Sequence, residues 1–407
     1  MKRILFVHHG KGIGGAPLTL RAIIRALDRS KFSPCVLCLF ESEAAELFRN
    51  DGIETRIAKH IYHLAHTTGI WYPLYLFPIF LFRLLLFPVS VWNAHRFLKE
   101  NHFDIVHLNS SSLLAVAVAA KLHRIPVLTH ILEHLHPGYL GIRRFLFARL
   151  LVAFSDTVVF ICNADIHAFP SSPKLHVVYD SIDPDEFNLS NSTGSVASSL
   201  TVPKDAQVVG MLGGIQPIKG TLEFVNAAAQ IVRQLPNTHF IILGVLPEKK
   251  RHSTYSRSID VMRGWLSGAR KYRSHVLGIA GQESLKGKIH LVGSVLDVPS
   301  YLAMFNVLVF PSTTPHYARP LIEAGLMKKP VVASRIGGPE EIVSDGVTGF
   351  LVTPKEPDEL ARRIIQLLND RKLSAQMGEA GYKRALDIFD QRKNVPEIIK
   401  FYNKISR

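Results

Sequence analysis

Cysteine is scarce, with three in 407 residues, which leaves no disulfide framework to hold the fold. Cys35 and Cys38 spell C-x-x-C, but residues 34–40 read as a strand, where side chains three apart face opposite sides. Burial, not redox or zinc chemistry, is expected of them. Acidic residues are also short, 33 Asp and Glu against 48 Lys and Arg, for a net charge of +15. Such an excess suits an anionic partner, either nucleic acid or a membrane surface. No zinc-finger spacing, helix-turn-helix signature or aromatic-basic platform is present, so nucleic acid is not expected. No D-x-D follows an apolar strand, and His130, His134 and His136 have no carboxylate near them in sequence beyond Glu133, so no metal is expected either. The first residues, MKRILFVHHG, hold too short an apolar run for a signal peptide and read as a strand.

What is present is a large apolar fraction, 47 %, in a chain long enough for two full cores. Apolar runs of strand length alternate with helical patterns, as in doubly wound parallel sheets. Strands are expected near residues 4–8, 34–40, 104–108, 127–131, 157–161 and 176–179. Residues 181–203 are rich in Ser, Asn, Asp and Pro and read as a linker. A second series begins at Val208 and continues through 240–243, 289–292, 307–310 and 331–334, with closing helices at 357–368 and 373–388. The expectation is therefore an α/β chain of two Rossmann-like domains, 1–180 and 204–389, with parallel sheets facing a central cleft, and a terminal segment, 390–407.

Three segments carry the chemistry. Residues 10–15, GKGIGG, follow the first strand, where a glycine-rich turn lets a ligand approach the backbone. Read literally, Gly10, Gly12 and Gly15 satisfy G-x-G-x-x-G, with Glu41 as a ribose acid. That is the dinucleotide-oxidoreductase reading, and a plain tight turn without ligand is another. Residues 209–220, VGMLGGIQPIKG, open the second series. Residues 311–352 then run strand, helix, strand into Gly337-Gly338, with Glu323 one turn into the helix. Ligands of open α/β sheets sit beyond the carboxyl ends of the strands, near helix N-termini.

These residues resemble the GT-B-fold, retaining glycosyltransferases of family 4, group 1 type. The second glutamate of the family's pair matches Glu323, and K-P-V-V-A and G-G-x-x-E match 329–333 and 337–341. Pro315 stands where the first glutamate is usual, with His316, Tyr317, Ala318, Arg319 and Pro320 in place of G-F-G-L-P. Lys219 falls on the diphosphate lysine, and Gly214 stands where an arginine is usual. The resemblance implies that Lys219 and Glu323 act with His130, at the end of the 127–131 strand, as catalytic-site residues. Gly14, Gly15, Gly214, His316, Tyr317, Ala318 and Arg319 would contact the donor, and Asn109 and Ser110 would line the acceptor side. A fixed cation such as Lys219 stabilises the charge on a departing nucleoside diphosphate. The resemblance further implies a nucleotide-sugar donor, a glycan or lipid-linked acceptor, retention by front-face attack, and no cofactor. It also implies that the terminal helix crosses back onto the first domain.

Residues 70–92 hold one charge, Arg83, and three prolines in an otherwise apolar run. Strands on both sides should share one sheet, so a single membrane crossing is excluded by topology. An interfacial membrane face and a buried helical hairpin both remain open. The first of these expects a cytoplasmic enzyme, peripheral on the inner face of the membrane. Residues 246–290 carry ten Lys or Arg against three Asp or Glu, and read as a solvated insertion or a second contact for anionic lipid. A catalytically weakened protein of the same fold, binding glycan or membrane, is the alternative that Pro315 and Gly214 motivate.

Overall fold

Strands buried on both faces pair side by side into two wholly parallel sheets, because each helical crossover returns the chain to the same edge. The computed structural model describes residues 1–64, 66–67, 76–188, 200–245 and 268–405. The chain divides into two compact units, Met1–Asp183 with Phe389–Arg407, and Pro184–Ile388.

In the first unit β1 (Lys2–His8), α1 (Gly15–Arg25), β2 (Phe32–Cys38), α2 (Glu43–Asn50) and β3 (Glu54–Ile57) build one half. The chain continues through α3 (Phe77–Leu85), α4 (Phe87–Glu100), β4 (Ile105–Leu108), α5 (Leu114–Leu122), β5 (Val127–Ile131), α6 (Ile142–Phe154), β6 (Thr157–Phe160), α7 (Asn163–Ile166) and β7 (Leu175–Val177). The order β3-β2-β1-β4-β5-β6-β7 reverses direction between β1 and β4, so the loops after those strands part at a switch point. Cys35 and Cys38 belong to the cores on opposite faces of this sheet, as the period of two requires.

The second unit runs β8 (Gln207–Leu212), α8 (Thr221–Gln234), β9 (Thr238–Leu243), α9 (Ala269–Ala280), β10 (Ile289–Val292), α10 (Val298–Met304), β11 (Val307–Phe310) and α11 (Arg319–Leu326). It closes with β12 (Val331–Ser334), α12 (Gly338–Ile342), β13 (Gly349–Val352), α13 (Pro357–Asn369) and α14 (Arg371–Ile388). The order β10-β9-β8-β11-β12-β13 puts its switch point between β8 and β11.

The last helix, α15 (Gln391–Ile405), lies on the first unit, where Val395, Ile398 and Tyr402 join the core of Ile4, Phe6, Leu128 and Val159. Tyr402 is fully buried and its hydroxyl sits 2.7 Å from His107 Nδ1. Asn394 donates to the Tyr179 carbonyl at 3.1 Å, and Ile182 pairs with Asp390.

Two strands lie beyond those expected from the sequence. β3, of sequence ETRI, is an edge strand with charged residues at alternate positions, too polar to stand out. β13 is a four-residue edge strand opened by Gly349, whose Cβ would meet the Val331 carbonyl oxygen at 2.4 Å. Within 246–290, residues 246–267 lie outside the described residues, but α9 is no solvated insertion: Val276 is buried, and Tyr272 accepts the Leu222 amide at 2.9 Å. Residues 189–199 of the linker and 70–75 of the apolar run also lie outside the described residues.

One core face of the first sheet carries three histidines on adjacent strands, His8, His107 and His130, none more than 1 % exposed. Burial lowers all three, His8 and His130 to about 3, and a charge on His9 or His130 would add to the effect on His8 and His107 respectively. These imidazoles are neutral when folded and regain the ordinary value of about 6.5 when unfolded. The unfolded chain therefore binds more protons below that value, and stability falls as pH drops from 6.5 toward the folded values. At pH 5 each histidine should cost on the order of 1–2 kcal/mol. Hydrogen exchange of the β4 and β5 amides, corrected for intrinsic rate, should show lower protection at pH 5 than at pH 7; equal protection would contradict the neutral assignment.

Candidate active site

The loop after β8 is shaped by glycine. Gly213, Gly214 and Gly220 have positive φ of 125°, 67° and 70°, conformations that cost a side-chain-bearing residue energy. A Cβ at Gly214 would lie 2.3 Å from the Gly244 carbonyl oxygen, and one at Gly220 would lie 1.7 Å from that of Pro311. Thr221 Oγ ties the loop to the start of α8 by donating to the Gly214 carbonyl at 2.9 Å. This compression lays the Lys219 stem along Gly213, where a Cβ would touch Lys219 Cγ and Cδ at 3.0 Å.

Lys219 Nζ then stands 2.9 Å from His316 Nε2 and 5.4 Å from the Phe310 ring centroid. His316 Nδ1 faces the Thr314 carbonyl at 3.0 Å and Ser312 Oγ at 2.9 Å. A carbonyl only accepts, so Nδ1 carries the ring proton and Nε2 accepts from the ammonium. Burial lowers Lys219 to about 8, which leaves it charged at neutral pH. The sheet edge at the β8/β11 switch point thus presents a partly desolvated cation.

Arg319 and Glu323 are one turn apart on α11, with Arg319 Nε 3.1 Å from Glu323 Oε1 and side chains only 13 % and 9 % exposed. Arg319 therefore holds the Glu323 carboxylate. Ala318, fully buried, precedes the helix, and Tyr317 and His316 pack under the Gly337–Gly338 turn. A Cβ at Gly338 would lie 2.9 Å from Tyr317 Cα, and one at Gly337 would lie 3.1 Å from Pro315 Cβ. The G-G-x-x-E segment thus shapes this loop, and Glu340 closes the turn by accepting the Gly337 amide at 2.9 Å.

Gly214 turns the loop without offering its amide, which donates to the Leu243 carbonyl at 2.8 Å. Gly214, expected among the donor contacts, thus has both its amide and its carbonyl engaged within the protein. Lys329 of K-P-V-V-A likewise points away, donating from Nζ to the Ala303 carbonyl at 2.7 Å at the end of α10.

In the first unit Gly14 and Gly15 are exposed at the start of α1, and no neighbouring atom lies within 4 Å of a Cβ placed on Gly14. Asn109 follows β4, with Nδ2 3.2 Å from His8 Nδ1 and 3.0 Å from the Ala16 carbonyl. Ser110 and Ser111 donate to Glu133, which also accepts the amides of Ser111 and Leu132, each at 3.1 Å. Burial raises the Glu133 carboxyl against the pull of those bonds. Asn109, Ser110 and Glu133 are thus gathered at one sheet edge. Glu133, considered from the sequence only as a metal partner, is marked by its place just past a buried strand.

His130 is not at the open edge: it is buried, edge-on to His107 at 5.5 Å, and neither ring nitrogen has a hydrogen-bond partner among the described residues. His134 lies against Asp165. Glu41 is paired with Arg49 at the surface, which takes the ribose acid from the dinucleotide reading. Among the described residues no group of three or more His, Cys, Asp or Glu is placed to hold a metal ion.

Two family models match consecutive parts of the chain: Glycosyltransferase Family 4 over residues 13–186 and Glycosyl transferases group 1 over residues 196–384. The chain belongs to the group 1, family 4 glycosyltransferases. Among relatives of this glycosyltransferase, an uncharacterized glycosyltransferase of Methanocaldococcus jannaschii is 34 % identical over 120 residues, 29 % of this chain and 34 % of that one. The UDP-Gal:alpha-D-GlcNAc-diphosphoundecaprenol alpha-1,3-galactosyltransferase of Escherichia coli is 23 % identical over 329 residues, 77 % of this chain and 78 % of its own. The first of these matches spans about a third of the relative's length, the second more than three quarters. Anabaena HepE in complex with UDP-glucose superposes with a TM-score of 0.78 at 24 % identity over 99 % of this chain and 100 % of that one. A Rickettsia africae glycosyltransferase does so at 0.75 and 17 %, covering 99 % and 98 %. The fold is GT-B.

Restoring an arginine at position 214 should not add a cation to this site. The left-handed backbone and the approach to Gly244 predict that Gly214→Arg loses about 2–4 kcal/mol of stability, read as a lower melting temperature. An unchanged melting temperature would contradict the crowding.

Proposed function

We propose that this glycosyltransferase moves a hexose-type sugar from a nucleoside-diphosphate sugar to a glycan or lipid-linked acceptor, with retention and without a metal ion. The observation that carries the reading is the Lys219 ammonium beside His316 at the carboxyl edge of the second sheet. A diphosphate developing charge there meets a preorganised, partly buried cation, which supplies what a metal ion supplies elsewhere. Glu323 takes the ribose hydroxyls, with its carboxylate oriented by Arg319. His316, Tyr317 and Ala318 form the loop that faces the sugar end, where Pro315 replaces a glutamate. The exposed Gly14–Gly15 turn takes part of the donor, and Asn109 and Ser110, braced by Glu133, belong to the acceptor side. His130, which the resemblance sets at the donor sugar, is a buried, neutral imidazole on β5 in the same unit. The Escherichia coli relative is named for UDP-Gal and a diphosphoundecaprenol acceptor, and HepE was crystallised with UDP-glucose. These names make UDP-sugars the first donors to try, and a lipid-linked acceptor would set the work at a membrane, for which we propose the cytoplasmic face.

A thermal-shift screen over UDP-, GDP-, ADP- and CDP-sugars tests this directly, since a ligand of the folded state raises apparent stability. One sugar nucleotide should stabilise the protein, and Lys219→Ala should weaken it about 10- to 100-fold. Because Lys219 loses its charge near 8 in the free protein, affinity should also decline as pH rises above that value. Stabilisation by none of the four, with the fold intact, would favour a weakened protein of the same fold that binds glycan or membrane.

A further inference from the structure

Apolar side chains are displayed in water on two adjoining elements of the first unit. On α3 and the start of α4, Phe82, Leu85 and Trp92 are exposed, Leu85 by 76 % and Trp92 by 62 %. On α6 and the turn before it, Leu140, Phe145 and Leu146 are exposed, Leu140 by 94 %. The elements meet where the Arg143 guanidinium lies 4.7 Å above the Phe80 ring, so the side chains form one surface.

The turn at Leu140 is built for display. Leu140 has φ of 53° between Gly138 at 69° and Gly141 at 73°. A leucine in the left-handed region costs about 1 kcal/mol or more, and the side chain gains no burial in return, being almost wholly outside. Strain combined with exposure points to a function outside the unit's own core.

Charge identifies the occupant. The helices α3, α4 and α6 hold Arg83, Arg96, Lys99, Arg143, Arg144 and Arg149 against one acid, Glu100, which pairs with Arg96 at 3.6 Å. Two copies face to face would set arginine against arginine, whereas a surface of anionic headgroups over acyl chains satisfies both the cations and the apolar side chains. No single helix among the described residues is long and apolar enough to cross a bilayer, and α3 and α4 are bent by 42° at their break. The later part of α4 is anchored in the core through Ala94 and Leu98, and β3 and β4, before and after the pair, lie in the same sheet. The elements therefore lie along a membrane instead of through it.

We infer that α3, the start of α4 and the Leu140 turn with α6 form an in-plane docking surface for an anionic lipid bilayer. The inference rests on the lipid-linked-acceptor reading for its purpose, because a transferase seated there meets an acceptor confined to the bilayer. Flotation of the intact protein with vesicles tests it. Vesicles containing phosphatidylglycerol should carry the protein at low salt, pure phosphatidylcholine vesicles far less, and added salt should release it. Leu85→Ser/Leu140→Ser should reduce binding at least tenfold, as should Arg144→Gln/Arg149→Gln, with unchanged melting temperatures because these side chains are largely outside the core. UDP stabilisation, measured in parallel, reports the donor site and should be unaffected by either pair. Wild-type protein that stays unbound to phosphatidylglycerol vesicles at low salt overturns the inference, even where UDP stabilises it. Self-association abolished by the same serine pair, without vesicle binding, overturns it in favour of a contact between copies.

Discussion

Close backbone approach at the carboxyl edge of the second sheet governs the arrangement of the candidate donor site. Residues 213–220 leave β8 and turn back against Gly244 and Pro311 at distances that exclude any Cβ at two of the glycines. This compression presses the Lys219 stem onto Gly213 and brings its ammonium to His316. The chain around His316 is fixed in turn by Ser312, whose hydroxyl donates toward the Ile218 and Thr314 carbonyls at 3.1 and 2.7 Å, and by the Gly337–Gly338 turn above it. Backbone contacts thus set the position of one cation, and desolvation by those contacts tunes it.

Much of this architecture was legible in the sequence, because buried parallel strands are written as continuous apolar runs. Four expected strands, 127–131, 289–292, 307–310 and 331–334, match the observed bounds residue for residue. The two strands that failed to register are four-residue edge strands: β3 carries charge at alternate positions, and β13, though buried, opens on a glycine and is too short to stand out. Local motifs told less about direction. Lys329 and Gly214 sit inside recognisable patterns, yet one caps a helix end and the other gives its amide to a strand carbonyl. Spacing along the chain fixes which loop a residue occupies, but not which way its polar atoms point. His130 shows the same limit, since a strand-end position did not reveal that its ring turns into the core beside His107.

Arg319 and Glu323 illustrate how a helix resolves ambiguity that a sequence leaves open. Four residues apart on one face, they are bound to meet wherever the helix forms. Their shared burial makes the carboxylate and the guanidinium one unit, so neither can be assigned a role without the other. The loop before them is where this chain departs from its family, and it is held by close glycine contacts, not by charge. Substitutions there alter the shape of the loop before they alter its electrostatics.

In the Lys219–His316 contact the imidazole lone pair occupies the ammonium as a placeholder. The ammonium carries two further N–H donors, so an anion that engages this lysine need not displace the ring. The advantage of the anion over the ring is its charge. Discrimination at this position is therefore set by the formal charge of the incoming group and by the surrounding dielectric, which favour an anion over a neutral acceptor of the same shape.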